Sequence, residues 1–297
     1  MTSEKENRKN TEFEFEQMIV AEYLKYGSVD ELISANEYSL PISFAGIHRI
    51  VDKWGIVKAA GPNKPLTECI SFFVRLVEEQ IPLESLYKNM PPSFTPSMTT
   101  LHRIYRHVKE EIKKEIENRS MRRYGTAVLL TPQGNPFCAL VGRDTSPARP
   151  DVGKKFGSHS FPMGFSKFGE EKSDSILRVL QKEVFTRQLL DGEFPAEILA
   201  KIRNPKPFMY LDITDVRVAV YTMELSESLS SLDNFESFKL KNYEYVDLWG
   251  LALSGQPDGS FRLGMREIAG GYIKHLKSPD IAPSYITSDL NLVLAEV

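Results

Sequence analysis

A stretch in the first third of the chain returns 54 residues later without a gap. Ser43-Phe44-Ala45-Gly46-Ile47-His48-Arg49-Ile50 overlies Ser97-Met98-Thr99-Thr100-Leu101-His102-Arg103-Ile104. The same offset sets Leu32 on Leu86, Val29 on Leu83, Val20 on Val74 and Ile19 on Phe73. Apolar positions coincide although few residues are identical. Two copies of one small helical unit are therefore expected, not one large helical core.

Each copy predicts three helices. In the first, Phe15, Met18, Ile19, Glu22 and Tyr23 give a helical period over Glu14 to Tyr26, ended by Gly27. Ser28, with Glu31 three residues on, is a capping-box start for a second helix. A Ser-Leu-Pro-Ile turn (39–42) follows, and Ser43 caps a third helix to about Trp54, closed by Gly55. The second copy gives helices at Thr67 to Gln80 and Leu83 to Lys88, a Pro-rich turn at 91–96, and a helix from Ser97.

A short helix, a turn and a capped basic helix make a helix-turn-helix arrangement, whose last helix enters the major groove. Candidate DNA contacts are Ser43, His48, Arg49 and Lys53 in the first unit, and Ser97, Thr99, Thr100, His102, Arg103 and Arg106 in the second. Arginine can pair with guanine edges, while hydroxyls and helix N-termini hold phosphates. Charge supports the placement. Residues 1–123 hold 18 basic and 18 acidic residues, yet the stretch 97–109 has Arg103, Arg106, Lys109 and two histidines with no acid. The competing reading is a pair of small bundles that dock proteins, with His48 and His102 as ordinary surface or core histidines. The stretch 14–110 resembles tandem helix-turn-helix regions of bacterial regulators and transposases. Leu101, Tyr105, Val108, Ile112 and Ile116 alternate at four and three, a coiled-coil seam that could pair two subunits.

From Tyr124 the texture changes. Thr126–Thr131 and Phe137–Val141 predict strands joined by a Pro-Gln-Gly-Asn turn, read as a hairpin. A helix is expected at Ser173 to Gln188, strands at Met209–Asp212, Val216–Leu225 and Tyr243–Leu248, and a helix at about Gly264 to Leu276. Gly164, Glu170 and Arg178 then stand at the spacing of a known box: a glycine, five residues, a glutamate, seven residues, then Arg-Glu-apolar-x-Glu-Glu-x-Gly. Leu180 is its apolar position and Glu183 its last glutamate, but Val179, Lys182 and Phe185 replace two glutamates and the closing glycine. On these residues the stretch 124–278 resembles the Nudix fold, a mixed sheet between helices.

That resemblance implies diphosphate hydrolysis assisted by Mg²⁺, and the substitutions oppose it. Valine offers no oxygen, and Lys182 places a cation beside Glu183. No catalytic residue, metal or cofactor is therefore expected; if activity persists, Glu170, Arg178 and Glu183 would carry it and Glu170 and Glu183 would hold Mg²⁺. A pocket can outlast its chemistry, so Arg143, Asp144, Phe161, Phe165 and Lys167 are candidate ligand-lining residues. The polar loop from Asp144 to Ser158 is either a ligand cover or merely mobile. Cys138 and His159 read as a core cysteine and a strand residue, not a nucleophile pair.

The whole chain of 297 residues carries a net charge of -3, with 37 basic against 40 acidic residues. This excludes a uniformly basic DNA-coating protein, though not a local basic patch. Two cysteines exclude a disulfide scaffold. No apolar run is long enough for a membrane span and no secretory signal is visible, so a cytoplasmic protein without a membrane partner is expected.

The expected fold class is α+β multidomain: an all-α tandem helix-turn-helix part, then an α/β Nudix-like mixed-sheet sandwich. The expected division is a polar tail (1–13), helix-turn-helix unit 1 (14–60), unit 2 with a long connecting helix (61–120), the Nudix-like domain (124–278) and a C-terminal tail (279–297). The function expected is a homodimeric DNA-binding transcriptional regulator. It would bind double-stranded DNA and sense a nucleotide or nucleoside-diphosphate ligand. The alternatives are a divergent Nudix hydrolase and a protein-interaction scaffold.

Overall fold

The computed structural model describes residues 2–36, 40–56, 97–100, 102–103, 105–107, 109–110, 123–167, 169–253, 260–279 and 281–296. Three helices form the first unit: α1 (Thr2–Tyr26), α2 (Val29–Ala35) and α3 (Phe44–Lys53). Their ends follow from the expected signals. The Ser28 hydroxyl accepts from the Glu31 N–H at 3.1 Å and the Ser43 hydroxyl from the Gly46 N–H at 3.2 Å. Each such cap stabilises by roughly 1 kcal/mol. Gly27 at φ +89° and Gly55 at φ +64° supply the left-handed residues that stop α1 and α3.

One detail departs from the sequence reading. Helix α1 begins at Thr2 and not at Glu14, because the polar run from Thr2 lacks proline and glycine and is rich in Glu and Lys, which favour helix. Helix α2 is capped at Asn36 and α3 at Ser43, with residues 37–39 between them outside the described residues. In the second unit, the expected helices at 67–80 and 83–88 and the turn at 91–96 lie outside the described residues, as do Leu101, Val108, Ile112 and Ile116 of the seam. Around them, residues 98–100, 102–103, 105–107 and 109–110 are helical. The Thr100 N–H bonds to the Ser97 hydroxyl at 3.2 Å, the same cap that Ser43 gives Gly46 one repeat earlier.

The second half is a mixed α/β structure. Its strands are β1 (Arg123–Pro132), β2 (Cys138–Asp144), β3 (His159–Ser160), β4 (Met163–Ser166), β5 (Met209–Ile213), β6 (Val216–Leu225), β7 (Leu240–Asp247) and β8 (Ser284–Thr287). One sheet runs β4-β1-β6-β5-β8 and a second β3-β2-β7. In the first, β1 pairs parallel with β6 and β5 with β8, while the other neighbours are antiparallel. The helices are α4 (Lys172–Glu183), α5 (Thr186–Leu190), α6 (Ala196–Lys201), α7 (Leu248–Leu253), α8 (Met265–Lys277) and α9 (Asp289–Glu296).

Strand β1 shows why helices cover both faces. Ala127 and Leu129 pack in a core with Met265, Ile268 and Ala269 of α8. Val128 and Leu130 pack on the other side with Ile176, Val179 and Leu180 of α4. Continuous burial with successive side chains entering opposite cores is the two-residue period of a strand covered on both sides.

Three expectations need correction here. Strands β1 and β2 are not a hairpin, because β4 and β6 take both edges of β1 and β2 joins the other sheet. The helix expected at 173–188 breaks after Glu183, and Phe185 turns into the core as a wholly buried ring between α4 and α5. The segment after 278 is not a separate tail: β8 extends the larger sheet, and Asn291 donates to the Thr214 carbonyl at 3.1 Å. Among the described residues, no helix is long and apolar enough to cross a membrane.

Candidate functional site

Helix α4 carries the residues compared with the box, and its side chains divide between three environments. Val179, where the resemblance puts a glutamate, is 2% exposed and packs with Val128 and Leu130. Lys182 faces the N-terminal unit, where a Cβ on Gly27 would lie 2.8 Å from its Nζ. Burial and the charge of Lys239 push the Lys182 ammonium below its usual range, against the pull of Glu183. Lys182 shares a crevice of about 10 Å³ with Tyr23, Leu24, Gly27, Ile56, Arg178 and Gln181, which leaves room for at most one water.

Glu170 is bound on both carboxylate oxygens by the Arg178 guanidinium. The Ser175 hydroxyl and the Lys167 N–H donate to it at 2.7 and 3.0 Å. Burial raises its pKa, but these hydrogen bonds outweigh burial and hold the carboxyl below its ordinary range. Arg178 also donates to the Phe165 carbonyl at 3.0 Å. The pair therefore locks the box loop onto α4.

Glu183 is 2% exposed, accepts from the Met163 N–H at 2.9 Å and is ion-paired with Lys239. From sequence proximity alone, Arg178, Lys182 and Arg187 are the expected partners of this carboxylate. Arg178 is instead held by Glu170, and Arg187 reaches toward Asp191 and Glu236. The divalent cation that the resemblance implies does not fit this set. Val179 is core, Lys182 is a cation, and the oxygens of Glu170 and Glu183 are already bound by other side chains. Among the described residues there is no group of three or more His, Cys, Asp or Glu placed to hold a metal.

The five expected lining residues do not converge. Phe161 is wholly buried in the core between the sheets, and Asp144 is fully buried in an ionic cluster, so neither lines a pocket. Arg143 and Lys167 are exposed. Phe165 lies between two guanidinium groups, those of Arg123 at 5.3 Å and Arg149 at 5.1 Å. The loop 144–158 is pinned: the Gly157 N–H bonds to the Asp144 carbonyl at 2.7 Å, and Arg149 and Lys154 close a bridge. Cys138 is partly buried and takes the Asn135 amide at 3.4 Å, while His159 pairs with Arg143 at the far end of β2.

The ionic cluster itself was not visible as a motif. The Asp144 carboxylate accepts from the Ser146 N–H and hydroxyl at 2.9 and 2.6 Å, with Lys154 Nζ at 3.3 Å. Burial would raise Asp144, but the charge of Lys239 and the Ser146 hydroxyl hold it below the usual range. Lys154 is driven down to about 8 by burial and by the charge of Lys239, against the pull of Asp144. In a second cluster, Arg123 binds Asp215 and Asp151, and Arg149 binds Asp151 as well. Single lysines and aspartates scattered over a hundred residues give no spacing signal.

In the helical unit, Ser43 is spent on its cap and Lys53 on an ion pair with Glu16 at 2.7 Å, which also accepts from Trp54 Nε1 at 2.9 Å. His48 is part-buried against Phe44 at 4.7 Å, and its Nδ1 is buried without a hydrogen-bond partner. Arg49 is exposed, with Nε 3.4 Å from the Ala45 carbonyl. Ser97, Thr99, Thr100, His102, Arg103 and Arg106 are all exposed.

No protein-family model matches the chain. No curated protein matches it either. Its C-terminal half is similar to solved structures. One is a MutT protein from Methanosarcina mazei, 11% identical, covering 55% of this chain and 98% of that one with a TM-score of 0.35. A second is a Nudix hydrolase from Nitrosomonas europaea, 11% identical, covering 57% and 78% with a TM-score of 0.33. A third is an ADP-ribose pyrophosphatase from Streptococcus suis, 11% identical, covering 55% and 98% with a TM-score of 0.33.

Proposed function

We propose that this chain is a DNA-binding regulator whose second half keeps a Nudix-like frame without hydrolysis and responds to a nucleotide-like ligand. The observation that carries the non-hydrolytic part is the fate of Glu183, which is held by Lys239 and by the Met163 N–H. Its neighbour in the box is a lysine. The DNA part rests on the repeated serine caps at Ser43 and Ser97, each heading a helix that presents an exposed arginine, Arg49 and Arg103. Arg106 adds a further exposed cation. A homodimer would set two such pairs against one duplex.

The test uses the purified full chain and duplex fragments from its own genomic neighbourhood. Retention in a mobility-shift assay should fall with salt, and Arg49→Ala with Arg103→Ala should weaken it and lower the salt slope by about one per lost phosphate contact. Absence of any salt-dependent retention would sink the DNA reading. Mg²⁺-dependent turnover of nucleoside-diphosphate derivatives, lost in Glu183→Gln, would instead establish the hydrolase.

A further inference from the structure

We propose that Lys239 is a tethered cation standing where a divalent metal would otherwise sit, and that it closes a latent cation site formed by Glu183, Asp144 and the Met163 carbonyl. The inference deepens the non-hydrolytic reading of the second half and is independent of DNA binding.

The geometry is that of an oxygen cage around an ammonium. Lys239 Nζ is ion-paired with Glu183 Oε1, lies 3.5 Å from the Met163 carbonyl and 3.8 Å from Asp144 Oδ2. The two carboxylate side chains are 3% and 1% exposed, while the lysine side chain is 21% exposed. Two acids buried on one small volume repel each other and lose their hydration; Lys239 offsets this for both, and Lys154, 3.3 Å from Asp144 Oδ2, does so for Asp144 as well. Oxygens of two carboxylates and a carbonyl are hard donors, the kind that Mg²⁺, Mn²⁺ or Ca²⁺ prefer.

The backbone fixes where this ammonium can go. The Lys239 and Leu240 N–H groups both donate to the buried Ser237 hydroxyl, at 3.2 and 2.8 Å, and the Lys239 carbonyl accepts from the Thr145 N–H at 2.9 Å. A side chain rooted at such a point is present at high effective concentration and outcompetes a dissolved ion. Lys154 at Asp144 and Lys182 beside Glu183 on α4 add positive charge nearby, which further disfavours a free dication in the intact chain. The absence of carboxylates at Val179 and Lys182 and the presence of Lys239 at Glu183 then act in the same direction, against a free dication.

The experiment is Mn²⁺ titration followed by electron paramagnetic resonance, with melting curves, on the full chain and on Lys239→Met and Lys239→Asn. The expected result is that each variant takes up one Mn²⁺ at least about tenfold more tightly than wild type, because the competing charge is gone. Mn²⁺ should also raise the melting temperature of the variants or restore their folding. Uptake should disappear when Glu183→Gln is added. Two results would overturn the proposal: Glu183-dependent Mn²⁺ binding by the wild type as tight as in the variants, or two variants that neither bind Mn²⁺ nor are stabilised or refolded by it. No turnover is read, so failure here leaves the question of hydrolysis to its own assay.

Discussion

Gln181 Nε2, on the helix that carries the box remnant, donates to the Gly55 carbonyl at 2.9 Å, joining residues 126 apart in sequence. Gln17 Nε2 makes a parallel bond to the Leu190 carbonyl at 3.0 Å. Between them Leu189, 5% exposed, enters the core of the helical unit with Ile19, Val20, Leu32 and Ile47. The two halves are thus joined by apolar burial and neutral amide-to-carbonyl bonds. Lys182, half-buried, faces this unit.

Leu189→Ala should therefore act on the first unit from a distance. Truncating a buried leucine costs about 2–5 kcal/mol, depending on how far the site collapses. Hydrogen exchange should speed up over residues 15–56 while the amides of β1 and β6 keep their protection. Equal loss of protection in both halves would show that the halves do not separate as units.

Gln181→Leu isolates the polar part of the same joint. It removes this donor from the Gly55 carbonyl, and because Gly55 is exposed and water can replace the donor, the cost is about 0.5–1.5 kcal/mol. Because both partners are neutral, the destabilisation should be the same at low and high salt, measured by denaturant titration. A strongly salt-dependent difference would mean that the nearby Lys182 charge carries the joint instead.

How much of this was legible depends on the reach of each interaction. Caps and stops are local, so Ser28, Ser43, Gly27 and Gly55 were readable from three-residue spacings. The strands expected at 209–212 and 216–225 were readable for the same reason. The pairing partners of β1 were not, because a turn sequence cannot reveal that both its edges are claimed by β4 and β6. The site followed the same rule. Val179 and Lys182 could be read against a motif, but the pairing of Lys239 with Glu183 could not, since that residue lies 56 positions beyond Glu183 in a segment with no motif.

Lys154 predicts a pH dependence. Its folded pKa of about 8 lies below the usual lysine value of 10.5. The folded protein therefore releases this proton earlier than the unfolded chain does. Stability from this group is lowest below pH 8, where a buried charge is enforced, and rises as pH climbs from about 8 toward 10.5. The unfolding free energy of wild type should gain on that of Lys154→Met across this window. Raised pKa values work in the opposite sense: Tyr221 and Tyr245, both pushed up to about 12 by burial, withdraw stability above pH 10. A wild-type-minus-variant difference that stays flat from pH 7 to 10 would refute the Lys154 assignment.

The Arg123 cluster offers the sharpest test of what holds the sheet domain's interior. Arg123, 14% exposed, binds Asp215 and lies 2.9 Å from Asp151, which is itself bound by Arg149 at 2.8 Å. Burial raises the Asp151 pKa, but Arg149 and Arg123 outweigh it, so its carboxyl is held low. That contribution is present above the ordinary aspartate range and is lost as pH falls through the folded pKa. Arg123→Met should cost about 3–5 kcal/mol, because Asp215 is left as a buried charge without its main partner, whereas Asp151 keeps Arg149. Adding Asp215→Asn should recover part of that loss, since the stranded charge is then removed. The measurement is a double-mutant cycle by denaturant unfolding. Strict additivity of the two substitutions would show that Arg123 and Asp215 do not depend on each other, and the cluster would have to be assigned to Asp151 alone.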